Sequence, residues 1–135
     1  MNNYEKTVTE IYYDQEKTKP VKDYEVTQDG YAIIRTGTWY VCGKTRVLAF
    51  GDAVVYAYMI STVHAHGNSR VFSHDYSKVF ACDNSKVWAN DNSQVTAINN
   101  STVHAWNNSE VTSINNSKVS THHNAKIFDR RDKNG

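Results

Sequence analysis

One eight-residue phrase, repeated without a break in spacing, decides what this chain can fold into. Between residues 43 and 130 it recurs eleven times. Clear copies are Asp83-Asn84-Ser85-Lys86-Val87-Trp88-Ala89-Asn90 and Asn99-Asn100-Ser101-Thr102-Val103-His104-Ala105-Trp106. Position five is Val in every copy from Val47 to Val119 and Ile127 in the last. Position three is Ser, with Thr45, Ala53 and Ala125 as small substitutes; position seven is Ala or Ser from Ala49 to Ser113. Side chains alternate along a strand, so positions three, five and seven share one face. That face reads small, Val, small, and predicts a thin, tightly packed core. Positions one and two are mostly Gly, Asp or Asn, which tolerate the left-handed backbone of a corner. An α-helix does not fit, because a period of eight is not a multiple of 3.6 and Val and Ser are poor helix formers. A lone octad cannot bury its Val, so the copies must stack. The expected fold is all-β: a parallel β-solenoid, or β-helix, of stacked octapeptide strands with an irregular N-terminal cap.

Two octads would make a flat 16-residue coil, and three a 24-residue triangle. The outward residues favour two. Gln94-Val95-Thr96-Ala97-Ile98-Asn99-Asn100-Ser101 returns sixteen residues later as Glu110-Val111-Thr112-Ser113-Ile114-Asn115-Asn116-Ser117. The same step aligns Tyr56, Phe72, Trp88 and His104 as one outward ladder of rings. Eleven octads then give between five and six coils, roughly 26 Å tall at the usual strand spacing.

Residues 1–26 lack the octad and are expected to form a cap over the first coil or an arm for a partner. Within them Thr7–Tyr13 has strand composition, Tyr4 and Tyr24 are candidate anchors, and Pro20 is the only proline. Residues 27–42 read as two degraded octads, with Tyr31 and Ile33 alternating, Trp39 and Val41 at positions five and seven, and Gly30 and Gly37 near the corners. Their larger side chains predict a wider coil. The repeat domain therefore spans 27–130, and 131–135 is a charged tail. A solenoid leaves two open sheet edges, which invite pairing. A homodimer through an open end, or through the N-terminal segment, follows as one expectation.

The net charge of +1 does not call for nucleic acid. No apolar run has signal-peptide or transmembrane length, which points to the cytoplasm. Cys42 and Cys82 read as free thiols from opposite sheets. No phosphate loop, nucleophile elbow or recurring carboxylate pair is present, so no enzyme and no cofactor are expected. His64, His66 and Cys82 come near one another in a 16-residue coil, yet read as exposed drift of the repeat rather than a metal site.

Function is expected on the outward positions. Tyr56, Phe72, Phe80, Trp88, His104 and Trp106 stand beside Arg70, Lys78 and Lys86 as a mixed aromatic and basic surface. Exposed aromatic stripes mark interfaces, while rings stacked up a sheet also stabilise it. The expected partner is a protein or ribonucleoprotein. Direct nucleic-acid binding, and a structural spacer that joins end to end, are the alternatives.

The run from Asp83 to Trp106 resembles octapeptide NS-x-V-x-A repeats of bacterial and bacteriophage proteins. The resemblance covers about 60% of the chain, residues 43–124. It implies a solenoid and a prokaryotic or phage setting, and by analogy an inhibitor or adaptor that acts on host machinery, including CRISPR effectors.

Overall fold

In a computed structural model, which describes residues 10–21 and 24–130, the chain is a two-sheet parallel β-solenoid, with no helix among the described residues. The first coil is entered through β1 (Glu10–Tyr12), β2 (Glu25–Val26) and β3 (Tyr31–Ile34). The coils then run β4 (Thr38–Cys42) and β5 (Arg46–Ala49), β6 (Val54–Ala57) and β7 (Thr62–Ala65), β8 (Arg70–Ser73) and β9 (Lys78–Ala81). They continue through β10 (Lys86–Ala89) and β11 (Gln94–Ala97), β12 (Thr102–Ala105) and β13 (Glu110–Ser113), and end on β14 (Lys118–Thr121) and β15 (Lys126–Asp129). Even-numbered strands from β4 onward form one sheet, with β1 at its edge; odd-numbered strands from β3 form the other, with β2 at its edge. From β4 onward partners lie sixteen residues apart, as Val87 with Val103 and Val95 with Val111. Two octads per coil is therefore the arrangement.

The packing follows from the octad. Position five is 0–2% exposed from Val47 to Val111, and the small residues at three and seven let the sheets close on it. Every corner turns at position one, in the left-handed region, from Gly43 through Asp75, Asp83 and Asn99 to His123. Asp at that position also ties coils together. The Asp75 carboxylate accepts from the backbone N–H of Met59 at 2.9 Å, Asp83 from Gly67 at 3.0 Å, and Asp91 from Asp75 at 3.0 Å.

The two position-three columns differ. Ser61, Ser77, Ser93 and Ser109 donate to the carbonyl three residues back at 2.7–2.8 Å. Ser69, Ser85 and Ser101 are buried hydroxyls with no such bond. Ala53 occupies the same column one coil above Ser69. A bonded hydroxyl contributes about 1 kcal/mol, whereas an unbonded buried one gives nothing back for its lost hydration. Ser93→Ala should thus lower the unfolding free energy by about 1 kcal/mol. Ser85→Ala should leave it unchanged or raise it, as read from paired urea titrations.

The entry to the solenoid departs from the octad count. Ala32 and Ile34, not Tyr31 and Ile33, face the core, at 1% and 3% exposed. Tyr31 pairs with Arg46, a step of fifteen, because the corner between β3 and β4 is one residue short. A one-residue shift moves a strand's side chains to the opposite faces. Trp39 does take position five, opposite Val55, and packs partly buried against the core. An apolar cleft of about 260 Å³ lies between this coil and the segment above it, lined by Ile11, Val21, Ile34 and Trp39 among others.

The segment above begins with β1, antiparallel on β4, and places Ile11 over Val41. Strand composition of Thr7–Tyr13 is realised from Glu10 onward. Thr7 to Thr9, Tyr4 and the tail 131–135 lie outside the described residues. Among the described residues no helix is long and apolar enough to cross a membrane.

Candidate interaction surface

Because coils repeat every sixteen residues, each outward position becomes a column up one sheet. On the even-strand sheet, position six stacks Tyr40, Tyr56, Phe72, Trp88 and His104. Ring centroids are 4.8, 4.7, 4.7 and 6.1 Å apart in turn, with planes 9–18° from parallel. The spacing is that of neighbouring strands, so the backbone sets the stack and the rings fill it. Trp106, at position eight, lies 6.1 Å from His104 and 4.9 Å from His122, carrying the column to the last coil. Tyr58 and His74 stack one column over at 5.0 Å. Position four places Arg70, Lys86 and Lys118 in register along the other side of the rings, all three exposed.

The ring faces are used on one another, and the rings are half-buried. What remains for a partner is their outer rims and the row of cations. From β4 to β14, positions four and six of this sheet hold no Asp or Glu. Apart from Thr38, Val54, Thr102 and Ser120, those positions are aromatic or cationic.

Phe80 and Lys78 do not belong to it. The outward pattern groups Phe80 and Lys78 with Phe72, Trp88 and Trp106 as one surface, but octads eight residues apart fall on opposite sheets. Phe80 stacks on His64 at 4.6 Å on the odd-strand sheet. Lys78 lines a shallow groove of about 490 Å³ there, with Lys44, Arg46, Ile60, Thr62 and Tyr76. Tyr56, Arg70, Phe72, Lys86, Trp88, His104 and Trp106 are brought together. Tyr58, an outward ring at position eight, joins them, as do Tyr40, His74, Lys118 and His122. A step of sixteen from Tyr56, Trp106 or Lys86 would have found most of these, had it been carried to both ends of the repeat.

The histidines are held by rings and corners. His66 stacks on Phe50 at 5.0 Å, and its Nδ1 lies 3.9 Å from Asp83; His74 and Asp91 repeat the second contact. Among the described residues no three His, Cys, Asp or Glu side chains gather closely enough to hold a metal ion. Burial pushes the thiols of Cys42 and Cys82 up from their ordinary value. Burial, reinforced by His66, pushes His64 below its ordinary 6.5. An imidazole held neutral contributes stability that is fully present above 6.5 and is lost as pH falls through its lowered folded value. Melting temperature should therefore fall on acidification across that window, and His64→Phe, which keeps the stack on Phe80, should flatten the slope. Thermal melts between about pH 5 and about pH 7.5 read the difference.

Comparison with protein-family models, curated proteins and solved structures gave no match for this chain.

Proposed function

We propose that this chain is a non-catalytic binding protein that docks the outer face of its even-strand sheet onto a host protein or ribonucleoprotein. In this reading it serves a bacteriophage or mobile element as an inhibitor or adaptor, with an anti-CRISPR-like role as the analogy. The observation that carries the reading is the unbroken ring column beside Arg70, Lys86 and Lys118 on a sheet face without carboxylates at positions four and six. A rigid row of rims with cations at the strand spacing suits a partner that is flat, apolar at its centre and acidic at its margin. The phage setting rests on the resemblance of the octads alone.

Direct binding of single-stranded nucleic acid is less well supported. That mode stacks bases on open ring faces. Here Tyr56, Phe72 and Trp88 cover each other's faces at 4.7 Å.

The test substitutes the cations, because replacing a ring would also break the ladder. Arg70→Glu combined with Lys86→Glu changes exposed side chains only. The wild-type chain should retain a defined protein or ribonucleoprotein from bacterial lysate. The double variant should lose it at least about tenfold with an unchanged melt. Equal retention by both proteins would remove this face from consideration. Retention that disappears with nuclease, and that naked RNA reproduces with a steep salt dependence, would replace the reading with nucleic-acid binding.

A further inference from the structure

The two ends of the solenoid are built differently. At the N-terminal end both sheets finish on an antiparallel strand. β1 covers β4, pairing Ile11 with Val41, and β2 covers β3, pairing Val26 with Ala32. Outside β1 the chain returns through a single bridge from Tyr12 to Pro20, which has no N–H to offer, and β2 is only two residues long. Short strands and an edge proline are the usual devices that stop a sheet from recruiting another.

The C-terminal end has none of these among the described residues. β14 and β15 are the outermost strands of their sheets. Their core positions are open: Val119 and Ala125 are only partly buried, and Ile127 is 40% exposed where the same position above is 0–2%. Phe128 beside it is 49% exposed.

The backbone is also poised. Lys118 and His122 donate upward to Ser101 and Ala105, and Lys126 and Arg130 to Ser109 and Ser113. In a parallel ladder the intervening residues address the opposite side. The amide groups of Val119, Thr121 and Ile127 therefore face the open end.

We propose that two copies of this chain join through these terminal coils, with β14 on β14 and β15 on β15 in antiparallel pairs. The twofold axis passes through position five of both strands, at Val119 and Ile127. Each then meets its own counterpart in the second copy with its amide groups directed across, as antiparallel pairing requires. Lys118 falls opposite Ser120 and Lys126 opposite Phe128, so no like charges are apposed. The blocked N-terminal end prevents head-to-tail growth, so the assembly closes at two. Of the proposed docking face this interface takes in only Lys118 and the adjoining His122 at its margin, and it stands or falls separately.

Sedimentation equilibrium on the full chain, at protein on the order of 100 µM to suit a small interface, should give twice 15.4 kDa. Ile127→Glu places a charge on the axis, and Thr121→Pro removes an amide from the open edge. Each should raise the dimer dissociation constant at least about tenfold while leaving the circular dichroism spectrum as it is. A wild-type mass of one chain at that concentration would overturn the proposal. So would a dimer that survives both substitutions, since its interface would lie elsewhere.

Discussion

Val87→Asp leaves the chain without a cooperative fold. Val87 is 0% exposed and lies between Val71 and Val103 in the middle of the position-five column. Its inward neighbours at positions three and seven are Ser85 and Ala89, both 0% exposed, so neither water nor a cation can reach a carboxylate there. Placing an unpaired charge or its protonated form in such a site costs several kcal/mol. A domain of this size has only about 5–15 kcal/mol in total. The linear architecture sharpens the effect, because each coil touches only the coils above and below. A fault at the centre leaves two short stacks, each with one more open end. The expected result is loss of the thermal transition in circular dichroism and collapse of amide dispersion in NMR. Val87→Ala, which only leaves a cavity, should cost about 2 kcal/mol and keep the fold. Val119→Asp, on the partly open last coil, should melt that coil alone. A cooperative, undiminished transition in Val87→Asp would mean that the column is not the core.

Gly51→Ala is the second large effect, expected at about 2–4 kcal/mol. A positive φ does not by itself demand glycine here. Met59, Asp75 and Asn99 adopt φ of 62°, 59° and 63° at the same position with full side chains. Gly51 differs in what lies against it. A Cβ at this residue would meet the backbone carbonyl oxygen of Arg35 at 2.6 Å, and backbone cannot swing aside as a side chain can. The close approach sits over the corner between β3 and β4 that is one residue short. At Gly67, one coil further on, the nearest backbone atom would be 3.1 Å away. Gly67→Ala should therefore cost clearly less. Urea midpoints for the two variants, with equal m-values, test the ordering. Equal losses would show that the left-handed backbone, not the crowding by Arg35, sets the need for glycine.

The contrast between these positions also marks what a sequence of this kind discloses. The octad specifies inward and outward faces, and the sixteen-residue echo from Gln94 to Glu110 specifies two strands per coil. From those alone the ring column through Tyr56, Phe72, Trp88 and His104 could be drawn. Phe80 was misplaced for a reason that was itself legible, since it stands eight residues from Phe72 rather than sixteen. The short corner after β3 was hidden, because Tyr31 and Ile33 alternate as convincingly as Ala32 and Ile34, and only packing against Val47 and Ala49 decides between them. The carboxylate ties from Asp75, Asp83 and Asp91 were hidden too. They join a side chain to an amide in the preceding coil, and such a contact leaves no pattern beyond a residue type that corners favour anyway. A repeat constrains the scaffold by making its members alike. Recognition depends on how they differ, at Arg70 or Trp88, and periodicity has nothing to say about those choices.

Alternation of consecutive octads between the two sheets has a consequence for how such a chain can change length. Removing sixteen residues, for example 75–90, would shorten the tower by one storey and leave every later side chain on its own wall. Removing eight, 75–82, would keep the valines inside yet carry each later outward residue across to the other wall. His104 and Trp106 would then part from Tyr56 and Phe72, and Thr96 and Thr112 would stand beneath those rings instead. Insertions and deletions in this lineage should accordingly come in even numbers of octads wherever the ring column matters, and in odd numbers only where it does not.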